Sequence, residues 1–205
     1  MSNRTTVTTD SRAEREEKMT DVLSAELPGY RTGRWVLDPA HSCVSFAARH
    51  LMITTVRGVF AVASATIVVS DDPLDTRVSA SVDVSSLDTK DPDRDAHLLS
   101  ADFLDVEQFP TMDFVSTGVR VVDGRHLLDG ELTIRGVTRP VTFDFEFGGF
   151  ALDPWGEYRA GAKARTTIDR EDFGLVWNVV LETGGLLVGK EVVITLDIEG
   201  TLPSE

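Results

Sequence analysis

Histidines are the residues of this 205-residue chain with the most versatile chemistry, because an imidazole can bind a metal or move a proton. There are four of them: His41, His50, His97 and His126. Side chains on a regular strand alternate between its two faces, and His41 and His50 lie an odd number of positions apart. Their side chains therefore point to opposite faces and cannot chelate one ion. We therefore predict no metal site. An enzyme acting on a small molecule would need His50 or His97 as its general base.

Sequence motifs of the common enzyme classes are missing. The chain contains no Gly-x-Ser-x-Gly, no His-Glu-x-x-His, no phosphate-binding loop and no dinucleotide fingerprint. None of its 34 acidic residues stands in an apolar run, where burial would tune a carboxyl group for acid-base work. The sequence therefore predicts no catalytic residues and no cofactor.

The charge balance narrows the possible partners. The chain has 34 acidic and 20 basic side chains, a formal net charge of -14, which repels nucleic-acid phosphates and anionic lipid headgroups. No apolar run approaches the ~20 residues of a membrane-spanning helix, and the first thirty residues lack the apolar region of a signal peptide. We expect a cytoplasmic protein that binds no nucleic acid and does not insert stably into membranes.

Alternation of apolar and polar side chains predicts an all-β domain over residues 34–205, preceded by a mobile polar tail over residues 1–33. Val78, Ala80 and Val82 alternate with serine and aspartate, as expected of a strand with one buried face. The same test gives eight strands: Trp35 to His50, Thr54 to Ser70, Val78 to Ser85, Thr111 to Val122, His126 to Ile134, Pro140 to Gly149, Glu157 to Ile168 and Lys190 to Thr201.

Two segments break the alternation. Asp91 to Gln108 predicts a short helix, with Asp91 as the N-cap and Pro92 in the first helical position. Asp169 to Leu181 predicts a helical turn. Glycine pairs such as Gly148-Gly149 indicate turns between antiparallel strands.

Eight antiparallel strands can close into a barrel or stack as a sandwich, and periodicity alone does not separate the two. The interior of a closed barrel of this size holds either packed side chains or one small ligand. On the seventh strand, Ala160, Ala162 and Ala164 would form a wall of methyl groups opposite larger side chains. That wall predicts a space that a ligand or the opposite walls must fill.

Several segments in order along the chain resemble the YceI-like family of polyisoprenoid-binding proteins. The resemblance covers essentially the whole predicted barrel. The matching segments are Trp35-Val36-Leu37-Asp38-Pro39-Ala40-His41-Ser42, Arg49-His50-Leu51-Met52, Val56-Arg57-Gly58-Val59-Phe60, Arg94-Asp95-Ala96-His97-Leu98, Leu132-Thr133-Ile134-Arg135-Gly136-Val137-Thr138-Arg139-Pro140-Val141 and Asp172-Phe173-Gly174-Leu175 with Trp177-Asn178.

The resemblance implies an eight-stranded antiparallel, lipocalin-like barrel that binds a long isoprenoid or a similar lipid, without catalysis or a metal, as a homodimer. The chain departs from the family pattern at Leu104 and Ala162, where larger aromatic residues are common. On this basis, apolar side chains would line the lumen, and His50, Arg170 and Asn178 would contact the polar end of the ligand. The complete predicted set is Phe46, His50, Phe60, Phe114, Phe143, Phe145, Ala162, Arg170, Trp177 and Asn178.

Two alternatives have different consequences. An enzyme acting on a lipid inside the barrel would use a histidine base, and its turnover would be lost on replacing His50 or His97. A packed β-protein that serves only as an interaction module would have a lumen too full for a ligand.

Overall fold

The computed structural model describes residues 28–180 and 186–203. Most of the predicted tail, residues 1–27, lies outside the described residues. The described chain contains ten β-strand segments and one α-helix. In chain order these are β1 (Gly33–Leu37), β2 (Cys43–His50), β3 (Thr54–Phe60), β4 (Val62–Val69), β5 (Arg77–Asp83), α1 (Pro92–Leu99), β6 (Thr111–Val122), β7 (Arg125–Ile134), β8 (Val137–Leu152), β9 (Tyr158–Asp169) and β10 (Val188–Leu202).

The ten segments form one closed, antiparallel, eight-stranded barrel, so the lipocalin-like prediction is confirmed and the sandwich is excluded. The sheet runs β1-β4-β5-β6-β7-β8-β9-β10, and β10 pairs with β1 through Val36 with Thr201 and Leu37 with Gly200. Strand β10 is long enough to pair with β2 as well as β1, and β2 in turn pairs with β3. Two of the eight predicted strands are therefore each broken into two segments.

The break between β1 and β2 has a local cause. Pro39–His41 form one turn of 3-10 helix, because Pro39 cannot donate to a strand ladder. The carboxylate of Asp38 caps this turn by accepting a hydrogen bond from Ala40 N at 2.9 Å. The chain thereby turns a corner and remains paired with its neighbours on both sides.

Both predicted helical segments are present. Helix α1 begins at Pro92, and the Asp91 carboxylate accepts a hydrogen bond from Arg94 N, as an N-cap does. The second segment contains a 3-10 helix over Arg170–Phe173, which Asp169 caps. Within residues 28–180 and 186–203, no helix combines the length and the apolarity that crossing a bilayer requires.

The prediction of a turn at Gly148-Gly149 is wrong. Strand β8 continues to Leu152, and the pair forms an irregularity in its register with β9 between Phe147 and Gly149. Gly149 has φ +112°, which suits glycine, so it kinks the strand without ending it. The strand after Val78 is also shorter than predicted, because Val84–Ser86 form a 3-10 turn.

Apolar side chains fill one end of the barrel, which we call the helical end because α1 and the 3-10 helix Arg170–Phe173 lie there. The buried members of this core come from β7, from β9 and from the segment that begins with the 3-10 helix. Leu104, Met112, Phe114, Val141, Val192 and Ile194 pack against them. The buried members are Leu132, Ile134, Ile168, Phe173 and Leu175.

The close approach of Phe114 to the backbone of β7 gives a test of this packing. A Cβ at Gly130 would lie 2.4 Å from two Phe114 ring atoms and 2.7 Å from the carbonyl oxygen of Val115. Gly130→Ala should therefore lower the free energy of unfolding by about 1–3 kcal/mol through overpacking. Denaturant unfolding measures this, and Gly118→Ala on β6 is the matched control because its Cβ would meet nothing within 4 Å. Equal midpoints for the two variants would contradict the packing described.

Candidate functional site

A cavity of about 220 Å³ occupies the opposite half of the barrel. We call this the cavity end; it is formed by residues 70–76 and by the β6–β7 and β8–β9 turns. Every strand of the closed ring contributes to the lining, whereas β2 and β3 contribute nothing. The lining side chains from the strands are Trp35, Ile67, Val69, Val78, Val119, His126, Leu128, Phe145, Phe147, Phe150, Ala160, Ala162, Ala164, Leu196 and Ile198.

Small side chains on β9 create the space. Ala162 stands opposite Phe147 on β8 and Ile198 on β10, and Ala164 stands opposite Phe145 and Leu196. A methyl group between two larger neighbours leaves room that no described side chain enters. The predicted methyl-lined wall therefore lines the cavity.

Few polar groups border the cavity, and most of these already have protein partners. The Tyr30 hydroxyl donates to Ser70 O at 2.5 Å, and the Trp35 indole donates to Arg31 O at 3.2 Å. Desolvation raises the pKa of Tyr30 above its usual 10.0. Phe150 contacts both rings, at 5.9 and 5.5 Å between centroids. The result is an apolar chamber with a rim of ordered aromatic side chains.

His126 is a cavity residue that the sequence interpretation missed. Its ring lies against Phe145, with 5.5 Å between centroids. His126 is two residues from Leu128 and six from Leu132, which both face the interior, so the alternation of apolar side chains along β7 would have placed it there.

Of the ten predicted site residues, only Phe145 and Ala162 line this cavity. The other four predicted phenylalanines form two pairs elsewhere in the barrel. Phe46 and Phe60 are 5.6 Å apart, and Phe114 lies edge-on to Phe143 at 5.4 Å, next to the core of the helical end. Whether these four contact a ligand stays a prediction.

Arg170 and Asn178 bind the main chain. Arg170 is 3% exposed and donates to the carbonyl oxygens of Gly189 and Trp177, each at 3.0 Å, and to that of Leu175. Its Nη2 has no partner among the described residues, and burial lowers the pKa of the guanidinium. The Asn178 amide bonds to both N and O of Val188. Both residues fasten the 174–179 segment to β10, and their role as ligand contacts stays a prediction.

The two histidines considered as possible bases lie at the helical end. His97 bonds to the Asp102 carboxylate at 3.0 Å and packs against Trp177, with 4.7 Å between ring centroids. His50 is the last residue of β2 and pairs with Thr54 and Val188. Neither lines the cavity.

An ionic network surrounds the corner at residues 38–42. Asp38, His41 and Glu199 bring potential metal-ligating atoms within 4.8 Å of one another. Arg159 already lies between the two carboxylates, with Nη1 at 2.6 Å from Asp38 and 2.7 Å from Glu199, and its Nε bonds to Asp153. A guanidinium in this position neutralises the acids, so the arrangement is that of a structural ion network.

Comparison with known proteins agrees with this geometry. The family model for the YceI-like domain matches residues 35–200, which is all of the barrel except two residues at each end. The chain belongs to the YceI-like family. A UPF0312 protein of Staphylococcus aureus strain MSSA476 is 36% identical over 160 residues, covering 77% of this chain and 91% of that protein.

Solved structures share the YceI-like fold at lower identity. BcnA of Burkholderia cenocepacia superposes with a TM-score of 0.67 at 21% identity, covering 80% of this chain and 98% of that one. A polyisoprenoid-binding domain from Saccharophagus degradans, described as implicated in plant cell wall breakdown, gives 0.61 at 12% identity, covering 84% and 100%. These likenesses establish the barrel fold.

The network around Asp38 predicts a pH dependence of stability. Hydrogen bonds from His41 and Arg159 lower the pKa of Asp38 from its usual 3.8 to about 2. Because the native state favours the ionised carboxylate, the Asp38 contribution is complete above its unfolded pKa and is lost as pH falls through about 2. The stability difference between wild type and Asp38→Asn should therefore be constant above pH ~5 and shrink as pH falls from ~4 to ~2.

Denaturant titrations at a series of pH values measure this difference, with Asp123→Asn in an exposed turn as the control. A difference at pH ~2 as large as at pH ~7 would show that the Asp38 bonds do not depend on ionisation.

Proposed function

We propose that this protein binds a long apolar molecule, an isoprenoid or a similar lipid, in its barrel and carries or sequesters it without catalysis. The observation that supports this proposal most directly is the cavity, which aromatic, aliphatic and alanine side chains line on every strand of the closed ring. Such a chamber favours ligands that gain from leaving water.

The free energy available is sufficient. Burying ten methylene equivalents at ~0.8 kcal/mol each provides ~8 kcal/mol before association costs, which corresponds to roughly micromolar binding. Branched methyl groups suit a wall of alanines next to phenylalanine rings, which favours an isoprenoid. The polyisoprenoid-binding domain of similar fold supports the same ligand class.

The size of the cavity bears on how the ligand is held. An apolar cavity of ~150 Å³ accepts benzene, so a volume of about 220 Å³ suits a branched terminal segment of a chain. Phe114 and Phe143 lie beyond this space toward the filled helical end. We propose that a terminal segment of the chain occupies the depth of the cavity and that the other end of the ligand lies at the cavity end.

The two alternatives have less support. An enzyme using His50 or His97 would need a second site, since both histidines lie outside the cavity. An interaction module with a full lumen does not account for the space beside Ala162. Turnover of a lipid panel that His50→Ala and His97→Ala abolish while binding persists would favour the enzyme.

Mass spectrometry of organic extracts from purified native protein tests the ligand class. We expect a species with a mass series of C5 units, in an amount comparable to the protein. An extract dominated by straight acyl chains would contradict the isoprenoid class but not the lipid-binding role. Protein that is free of lipid and binds neither class when titrated would contradict the carrier function.

The alanine wall allows a test by substitution. Ala162→Phe should fill the cavity, with little loss of thermal stability or a gain, and should weaken isoprenoid binding tenfold or more, ~1.4 kcal/mol. If the lumen were packed, the added ring would cost ~1–3 kcal/mol of stability.

Thermal melts and ligand titrations separate these outcomes. Lys163→Phe is the matched control, because Lys163 lies next in sequence on the outer face with a 70% exposed side chain. Unchanged affinity in a destabilised Ala162→Phe protein would contradict ligand binding at this wall.

A homodimer is a further proposal, which rests on the family resemblance. Exposed apolar side chains on two adjoining segments at the helical end offer a surface for it: Met52 and Ile53, and Val179 and Val180. Leu187 links the two segments, because its carbonyl oxygen accepts from Leu51 N at 2.8 Å and its N–H donates to Val179 O at 3.0 Å. Light scattering tests the dimer, and a monomer at all concentrations would contradict it.

A further inference from the structure

We infer that the bound molecule carries an uncharged hydrogen-bonding end, a hydroxyl or a carbonyl, and that His126 is the residue that binds it. This inference rests on the proposed function and specifies the ligand further. His126 stands at the start of β7, at the cavity end of the barrel, where the polar end of a molecule inserted chain-first comes to lie.

The position of the imidazole is unusual for a polar group. His126 lines an apolar chamber and packs against the ring of Phe145, but it has no hydrogen-bond partner among the described residues. By contrast, His41 and His97 each bond to a carboxylate. His126 is half-buried, and a hydrogen bond that a ligand makes to it beside this apolar lining is shielded from water and is therefore stronger than the same bond in water.

Other polar side chains at the cavity are less available. The Tyr30 hydroxyl and the Trp35 indole N–H both donate to main-chain carbonyl oxygens. An imidazole offers one N–H donor and one nitrogen acceptor, which match a hydroxyl, while the donor alone matches a carbonyl. His126 is therefore the cavity group best placed to recognise such an end.

The charged side chains around the cavity disfavour a ligand whose polar end is anionic. Asp71, Asp72 and Asp75 lie in the segment next to the cavity residues Pro73 and Leu74, and Asp123 lies three residues before His126. Of the basic side chains at this end, Arg125 pairs with Asp144, Arg120 with Asp129 and Arg77 with Asp75. Arg31 lies over the Tyr158 ring, 3.9 Å from its centroid. Arg34, at the same end, donates to the Thr66 hydroxyl. With Asp129 and Asp144, six acids lie at this end against five arginines, so its net charge is negative, which repels a phosphate end.

Three matched probes test the inference: a C15 isoprenoid alcohol, its diphosphate, and the C15 hydrocarbon without a polar end. For wild type, we expect the alcohol to bind more tightly than either other probe. His126→Phe retains a ring against Phe145 but removes both nitrogens. It should weaken alcohol binding about threefold to tenfold and leave the hydrocarbon unchanged.

Two further variants complete the design. His126→Gln retains a donor and an acceptor and should restore most of the preference for the alcohol, which a purely structural role would not predict. Arg125→Phe places the same new ring one residue away on the outer face and should leave the affinities for the alcohol and the hydrocarbon unchanged.

The results distinguish this inference from the proposed function. Equal losses for alcohol and hydrocarbon in His126→Phe, or no loss for either, would overturn the role of His126. A diphosphate that binds wild type as tightly as the alcohol would overturn the uncharged end. Absence of binding for all three probes would overturn the proposed function, and this inference with it.

Discussion

The pairing of β10 with β1 is the constraint on which the rest of the structure depends. It joins the two ends of an antiparallel meander, so that all eight strands have neighbours on both sides. The inner faces then form one enclosed surface. Without this pairing, the alanines of β9 would lie on an open sheet, and the same side chains would enclose nothing.

Within that enclosure, side-chain size decides which half is filled. At the helical end, large residues such as Leu132 and Phe114 pack together, and the absence of a side chain at Gly130 leaves room for the Phe114 ring. At the cavity end, Ala160 and Ala162 face the interior, where the neighbouring strand β8 carries Phe150 and Phe147 opposite them. The barrel therefore has a packed half and a hollow half, built from the same alternating pattern.

Much of the fold could be predicted from the sequence, because alternation along a strand is a local property. The eight strands, both helical segments and the methyl-lined wall follow from it. The breaks in the first two predicted strands and the bulge at Gly149 were not predicted, since they depend on pairing with partners distant in sequence.

The candidate site was harder to predict than the fold. Parity places Phe114 and Phe145 on the inner face alike, but the height of each residue along the barrel axis depends on strand register, which alternation does not reveal. Arg170 and Asn178 bond to main-chain atoms, which leave no pattern in the side-chain sequence. For His126 the pattern was sufficient, because the alternation along β7 places its side chain inside the barrel. It was missed because a histidine was considered as a catalytic or metal-binding residue and not as part of the barrel wall.

The filled helical end has a kinetic consequence. Since Phe173 and Leu175 are buried at the helical end, a molecule held in the cavity as proposed would enter and leave through the cavity end. A second molecule could then not approach from behind, and the first would have to leave before the second entered. On that proposal the barrel acts as a container and not as a conduit, and exchange is limited by the departure of the bound molecule.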